Sequence, residues 1–200
     1  MLRRSFILTA PLALAACSGR WTTDYASGQT ADVTRNWRVR DVIVDVPDNL
    51  SVSDENRLAP NADIVWHGDP AGDRRAQVAT IMRDGVSRAT SELSGRQLVT
   101  FSVTMQEFHA VTPAAVARAP SAVHNISYVL QVFDAETIQP VTEPELITAD
   151  LPANTQAAAI LAAQQGQSQK ARIVNHIDRV TRSWLGIGED LRGSFTSLGR

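Results

Sequence analysis

Two histidines and a glutamate are the residues of this sequence best placed to do chemistry. The segments 97–109 and 124–134 predict two antiparallel strands, and the register that aligns their apolar faces places His109 opposite His124. Glu107 then lies two residues away on the same face. Cross-strand β-carbons are roughly 5 Å apart, close enough for two imidazoles and a carboxylate to share a metal ion. This set is therefore a candidate metal-binding or hydrolytic site. We prefer the simpler interpretation, in which two strands end in polar residues that contact the 110–123 loop, so the sequence predicts no metal site and the metal site is the alternative.

A second polar segment, DIVWHGDPAGDRR at 63–75, precedes a predicted helix. Asp73 is suited to cap that helix, and capping explains the acidic residues more economically than ligand binding does. Phosphate binding would need a Gly-rich loop with a lysine, which the segment lacks. The sequence contains no GxSxG, no HExxH and no readable pair of catalytic carboxylates. It therefore predicts no catalytic residue and no cofactor, and His176 is expected on the solvated side of a second helix.

The single cysteine, Cys17, follows a short apolar run. Arg3 and Arg4 precede the run, which is too short to span a bilayer, since a span needs roughly 20 residues. LAAC at 14–17 is similar to the bacterial lipobox, in which the thiol receives diacylglycerol before cleavage. Residues 1–16 are thus predicted to be a lipoprotein signal peptide, and Cys17 the lipidated first residue of the mature chain. The alternative is an ordinary signal peptide with a chance cysteine.

The export route stays open between the general secretory and the twin-arginine pathways, because RRSFI at 3–7 also resembles a twin-arginine core. Ser18 after the cysteine favours the outer membrane, with the domain facing the periplasm and the inner membrane as the alternative. Covalent acyl chains on Cys17 would be the only added group.

The elements that must position the histidines predict an α+β fold. Apolar alternation and spacing indicate four main strands and two amphipathic helices in the order β-α-β-β-β-α. The expected architecture is a mostly antiparallel four-stranded sheet with both helices on one face. The predicted organisation is a signal peptide at 1–16, the lipidated cysteine and a flexible tether at 17–36, one domain at 37–187 and a tail at 188–200.

Charge limits the choice of partners. Without residues 1–16 the chain carries 17 basic and 21 acidic side chains, and this net negative charge argues against nucleic acid as a partner.

Four segments resemble a family of alphaproteobacterial envelope lipoproteins of unknown function. They are ADIVWHGDPAGDRRAQV at 62–78, FHAVTP at 108–113, VHNISYVLQVFDAET at 123–137 and QSQKARIVNHI at 167–177. The resemblance implies no catalytic residue.

Together these observations predict a lipid-anchored periplasmic binding or accessory module, whose partners are the membrane and another envelope protein. A hydrolase or metal-binding protein that uses the His109/His124 pair is the alternative.

Overall fold

This computed structural model describes residues 20–196. They form nine strands and five helices, joined by loops. The predicted signal peptide and Cys17 lie outside these residues. The strands are β1 (Arg20–Asp24), β2 (Trp37–Asp45), β3 (Val52–Ser53), β4 (Ile64–Val65), β5 (Gln97–His109), β6 (Ala122–Asp134), β7 (Glu145–Ala149), β8 (Leu151–Ala153) and β9 (Gly193–Thr196). The helices are α1 (Ala31–Thr34), α2 (Arg74–Thr90), α3 (Pro113–Arg118), α4 (Gln156–Gln164) and α5 (Gln169–Trp184). No helix within 20–196 is both long and apolar enough to cross a membrane.

The sheet is mixed, so the prediction of a mostly antiparallel four-stranded sheet is wrong. The α+β class and the long β5–β6 hairpin are confirmed. On its other side β5 pairs in parallel with β2 and with β4. Parallel pairing follows from the chain path, because α2 lies between both of these strands and β5 and returns the chain in the same direction.

The apolar core lies between one face of this sheet and the two long helices. Asp73 caps α2 through a hydrogen bond from the Ala76 amide, as predicted. Helices α2 and α5 approach closely at Gly85, where an added β-carbon would lie 2.7 Å from Ile177 Cβ. The face of β5 and β6 that points towards the helices is fully buried.

The segment before β2 is part of the sheet, and the prediction of a flexible tether is wrong for residues 20–36. Strand β1 pairs with β7 and with β9, so the predicted C-terminal tail also contributes a strand. Tyr25 is buried, and its hydroxyl lies 2.7 Å from Ser183 Oγ on α5. Glu145 accepts hydrogen bonds from the Gly28 amide and from Trp184 Nε1. Polar composition concealed this docking, because β1 is held by backbone pairing with β7 and β9, and backbone pairing does not require an apolar sequence.

Candidate functional site

The predicted pairing of His109 with His124 is wrong, although the register on which it was based is confirmed for most of the hairpin. Met105 pairs with Tyr128, as the apolar faces require. A β-bulge at the next residue then shifts the register, so that His109 pairs with Asn125. Because side chains alternate between the two faces of a strand, His109 and His124 point to opposite faces of the sheet.

His109 lies on the face away from the two long helices, and both of its ring nitrogens have partners. Nδ1 is 3.1 Å from Glu107 Oε1. Nε2 makes a short hydrogen bond with the carbonyl oxygen of Ala62. With both nitrogens engaged, the ring has no free position from which to bind a metal or remove a proton.

His124 and His176 are buried, and the prediction of a solvated His176 is wrong. Burial is the main cause of lowered pKa values in both residues, to about 3 for His124 and about 4 for His176. The positive charge of Arg172 lowers both further. His124 Nδ1 accepts a hydrogen bond of 3.4 Å from the Val111 amide. Both rings are therefore neutral at pH 7 and belong to the core.

The acidic residues of 63–75 are bound within the fold. Asp69 accepts hydrogen bonds from Trp66 Nε1 at 2.9 Å and from Lys170 Nζ at 2.9 Å. Arg74 donates to Asp54 at 2.7 Å. Through Asp69 and Lys170 this segment links the N-terminal ends of α2 and α5. These contacts support its interpretation as a helix start and not as a ligand site.

A cavity of about 500 Å³ lies where β5 ends and β6 begins, and we call it the hairpin pocket. One wall is the 57–60 loop, another is α3 with the residues that follow it, and Trp21 of β1 closes a third side. The lining residues are Trp21, Arg57, Leu58, Ala59, Pro60, Val65, Glu107, His109, Ala110, Val111, Thr112, Ala115, Ala119, Ser121, Ala122, Val123 and Asn125.

The walls of the hairpin pocket are apolar, and its polar groups include a corner formed by Glu107, His109 and Asn125. Burial raises the pKa of Glu107 above its usual value, and the nearby His109 lowers it in part. Asn125 donates a hydrogen bond of 2.7 Å to Asp150. Burial likewise raises the pKa of Asp150, although the hydrogen bonds from Thr22 and Asn125 lower it in part. An apolar cavity with a few fixed polar groups is the usual form of a small-molecule binding site.

Sequence reasoning identified Glu107 and His109 but missed the rest of the pocket. The 110–123 loop contains α3, whose start is marked by Thr112 as N-cap and Pro113 in the first turn. That Thr-Pro pair was the available signal. Trp21 could not be placed, because its contact depends on the pairing of β1 with a strand more than 120 residues away.

No group of three or more His, Cys, Asp or Glu side chains between residues 20 and 196 could hold a metal ion. The one imidazole that lines the hairpin pocket, that of His109, contacts Glu107 through Nδ1 and Ala62 through Nε2.

A model of a family of unknown function, DUF6778, matches residues 37–200, and the chain belongs to that family. This confirms the part of the resemblance that concerns a family of unknown function. A search of curated proteins found no match.

Three solved structures are similar over most of the chain. A protein of Xanthomonas campestris from family DUF330 has 14% identity and a TM-score of 0.45, covering 75% of this chain and 82% of its own. A candidate lipoprotein of Caulobacter crescentus has 14% identity and a TM-score of 0.34, covering 78% and 93%. PelC of Paraburkholderia phytofirmans, solved as a dodecamer, has 10% identity and a TM-score of 0.34, covering 78% and 96%.

Proposed function

We propose that this DUF6778 protein is a lipid-anchored, periplasm-facing binding module of the bacterial outer membrane, which takes the apolar chain of an amphiphile into the hairpin pocket. The observation that carries the proposal is the pocket itself, an apolar cavity of about 500 Å³ with the polar corner formed by Glu107, His109 and Asn125. The polar corner would receive a hydrogen-bond donor or a cationic head group, and the apolar walls would receive the chain.

The position of the predicted anchor supports a ligand from the membrane. Trp21 lines the pocket and follows Cys17 by four residues. Four residues span at most about 14 Å when fully extended. If Cys17 carries the lipid, the pocket wall is held close to the bilayer surface, where amphiphiles are concentrated.

The hydrolytic and metal-binding alternative loses the feature on which it depended. His109 and His124 lie on opposite faces of the sheet, and His109 has no free ring nitrogen. A binding function needs neither the pair nor a free base.

Displacement of a fluorescent acyl probe tests the proposal. Val123 lines the pocket and lies on the same face of β6 as Asn125, so Val123→Phe places a large ring in the pocket, and we expect it to abolish probe binding while the protein stays folded. Ala117→Phe is the matched control, because Ala117 is exposed on α3 and does not line the pocket. Probe binding that is equal in the wild type and in both variants would contradict the proposal.

Mass spectrometry of the mature chain tests the anchor separately. We expect acyl chains on Cys17 and none in the Cys17→Ser variant. An unmodified Cys17 in the mature protein would show that the lipobox interpretation is wrong, while leaving the pocket proposal open to its own test.

A further inference from the structure

Helix α4 points its two large apolar side chains away from the protein. Ile160 and Leu161 are 62% and 58% exposed, whereas Ala162 is buried. Residues three and four apart share one side of a helix, so Ala157, Ile160 and Leu161 form a single outward stripe. A surface helix of a soluble domain normally packs such a stripe onto the core. Here small alanines face inward and the larger apolar groups face outward.

The surroundings of α4 suit a lipid surface. No charged residue occurs from 151 to 169. Three arginines lie around this end of the sheet, namely Arg20 at the start of β1, Arg118 at the end of α3 and Arg172, whose Nη2 donates a hydrogen bond of 2.7 Å to the Pro152 carbonyl of β8. An apolar element bordered by basic side chains is complementary to an interface of acyl chains and phosphate groups.

The path of the chain places α4 beside the predicted anchor. Thr22 exchanges hydrogen bonds with Asp150, so β1 begins at the end of the sheet where β8 lies. Helix α4 follows β8 after two residues, and Gln156 Nε2 donates a hydrogen bond of 3.1 Å to the Ala119 carbonyl after α3. Only residues 18 and 19 separate Cys17 from Arg20. The three Cα–Cα intervals from Cys17 to Arg20 span at most about 11 Å.

We propose that α4 docks on the bilayer to which the chain is anchored, with Ile160 and Leu161 in the interfacial layer and lipid phosphates beside the arginines. This inference rests on the lipid anchor of the proposed function. It adds an orientation, in which α3 and the hairpin pocket that it borders are held at the membrane surface.

The lipidated full-length chain carries the test. Acylated Cys17 has no free thiol and is the only cysteine, so Leu161→Cys supplies a single site for an environment-sensitive fluorophore. The matched control is Ile138→Cys, because Ile138 is 68% exposed in the connection after β6, at the opposite end of that strand. Both proteins are reconstituted in vesicles of phosphatidylethanolamine and phosphatidylglycerol that contain a spin-labelled quencher lipid.

We expect several-fold stronger quenching at Leu161→Cys than at Ile138→Cys, and a loss of that difference when Ile160→Glu is added. Equal quenching at both positions on vesicle-bound protein would overturn the docking while leaving the anchor intact. Crosslinks between Leu161→Cys side chains of two copies would overturn it in favour of a protein partner. Protein that fails to bind vesicles and lacks acylated Cys17 would overturn the anchor and the docking together.

Discussion

Asn125 Nδ2 donates a hydrogen bond of 2.7 Å to Asp150 Oδ1, and Asp150 Oδ2 accepts one of 2.9 Å from the Thr22 amide. One buried carboxylate thus joins the polar corner of the hairpin pocket to the strand that carries Trp21. The pocket and the start of the described chain are therefore a single hydrogen-bonded unit. Asp150 thus links β1 directly to the wall of the pocket.

Replacement of Asp150 measures the strength of that link. Asp150→Ala leaves the Thr22 amide and the Asn125 side-chain amide without their acceptor, and because both donors are only partly buried, each loss should cost about 1 kcal/mol, the low end of the range for an unpaired donor. Asp150→Asn keeps one acceptor and should lose less stability. Chemical denaturation gives both values. Equal stability of Asp150→Ala and the wild type would mean that the two donors find other partners.

Glu107 predicts a pH-dependent effect on stability. Because burial raises its pKa in the folded state, its ionisation destabilises the fold progressively as the pH rises through that raised pKa. Glu107→Gln removes the ionisation. We expect the stability of this variant, relative to the wild type, to improve between pH 4 and pH 8 in thermal denaturation. A difference that does not change with pH would contradict the raised pKa of Glu107 in the folded protein.

The buried histidines predict sensitivity to acid. The folded-state pKa values of about 3 for His124 and about 4 for His176 lie below the usual 6.5, so the unfolded chain binds more protons in between. The stability that each neutral ring contributes is fully present above pH 6.5. It is lost as the pH falls towards the folded-state pKa of that ring, by up to about 1.4 kcal/mol of unfolding free energy per pH unit.

His124→Asn isolates one of these contributions, since the asparagine oxygen can still accept from the Val111 amide but does not titrate. We expect a shallower loss of stability in acid, measured by urea unfolding from pH 7 to pH 4. An unchanged slope would place the protonation elsewhere.

Close helix packing predicts the effect of a single methyl group. In Gly85→Ala the new β-carbon would meet Ile177 at 2.7 Å, so α2 and α5 must separate. Overpacking of this kind costs about 1–3 kcal/mol. The control is Ser87→Ala, which changes an exposed position of α2, the helix that contains Gly85. Gly166→Ala would not serve as a control, because Gly166 has a positive φ. A Gly85→Ala protein as stable as Ser87→Ala would contradict the packing.

Most of the core could be predicted from the sequence, and most of the site could not. The pairs Phe101–Val132 and Met105–Tyr128 follow from apolar alternation, because any other register would expose one face of the hairpin. The bulge after Met105 has no comparable signal. Gln106 is polar and exposed there, so no loss of burial marks the extra residue. Because Gln106 is the extra residue of the bulge, His109 pairs with Asn125 instead of His124, and its side chain points to the face of the sheet that carries the pocket.

Strand β1 escaped prediction for a different reason. Its sequence, RWTTD, has few apolar residues, and its place is fixed by pairing with β7 and β9 and by Asp150. Such long-range pairing leaves little trace in local composition.

The central claim, an apolar chain held in the hairpin pocket beside Trp21, is tested most directly by a chain-length series of single-chain amines. Each buried methylene contributes about 0.8 kcal/mol, so affinity should rise about fourfold per added carbon until the pocket is full. Brominated members of the series should quench Trp21, and the quenching should disappear in Trp21→Phe, because the other three tryptophans are fully buried in the core. Affinity that does not depend on chain length, or quenching that persists in Trp21→Phe, would contradict the account.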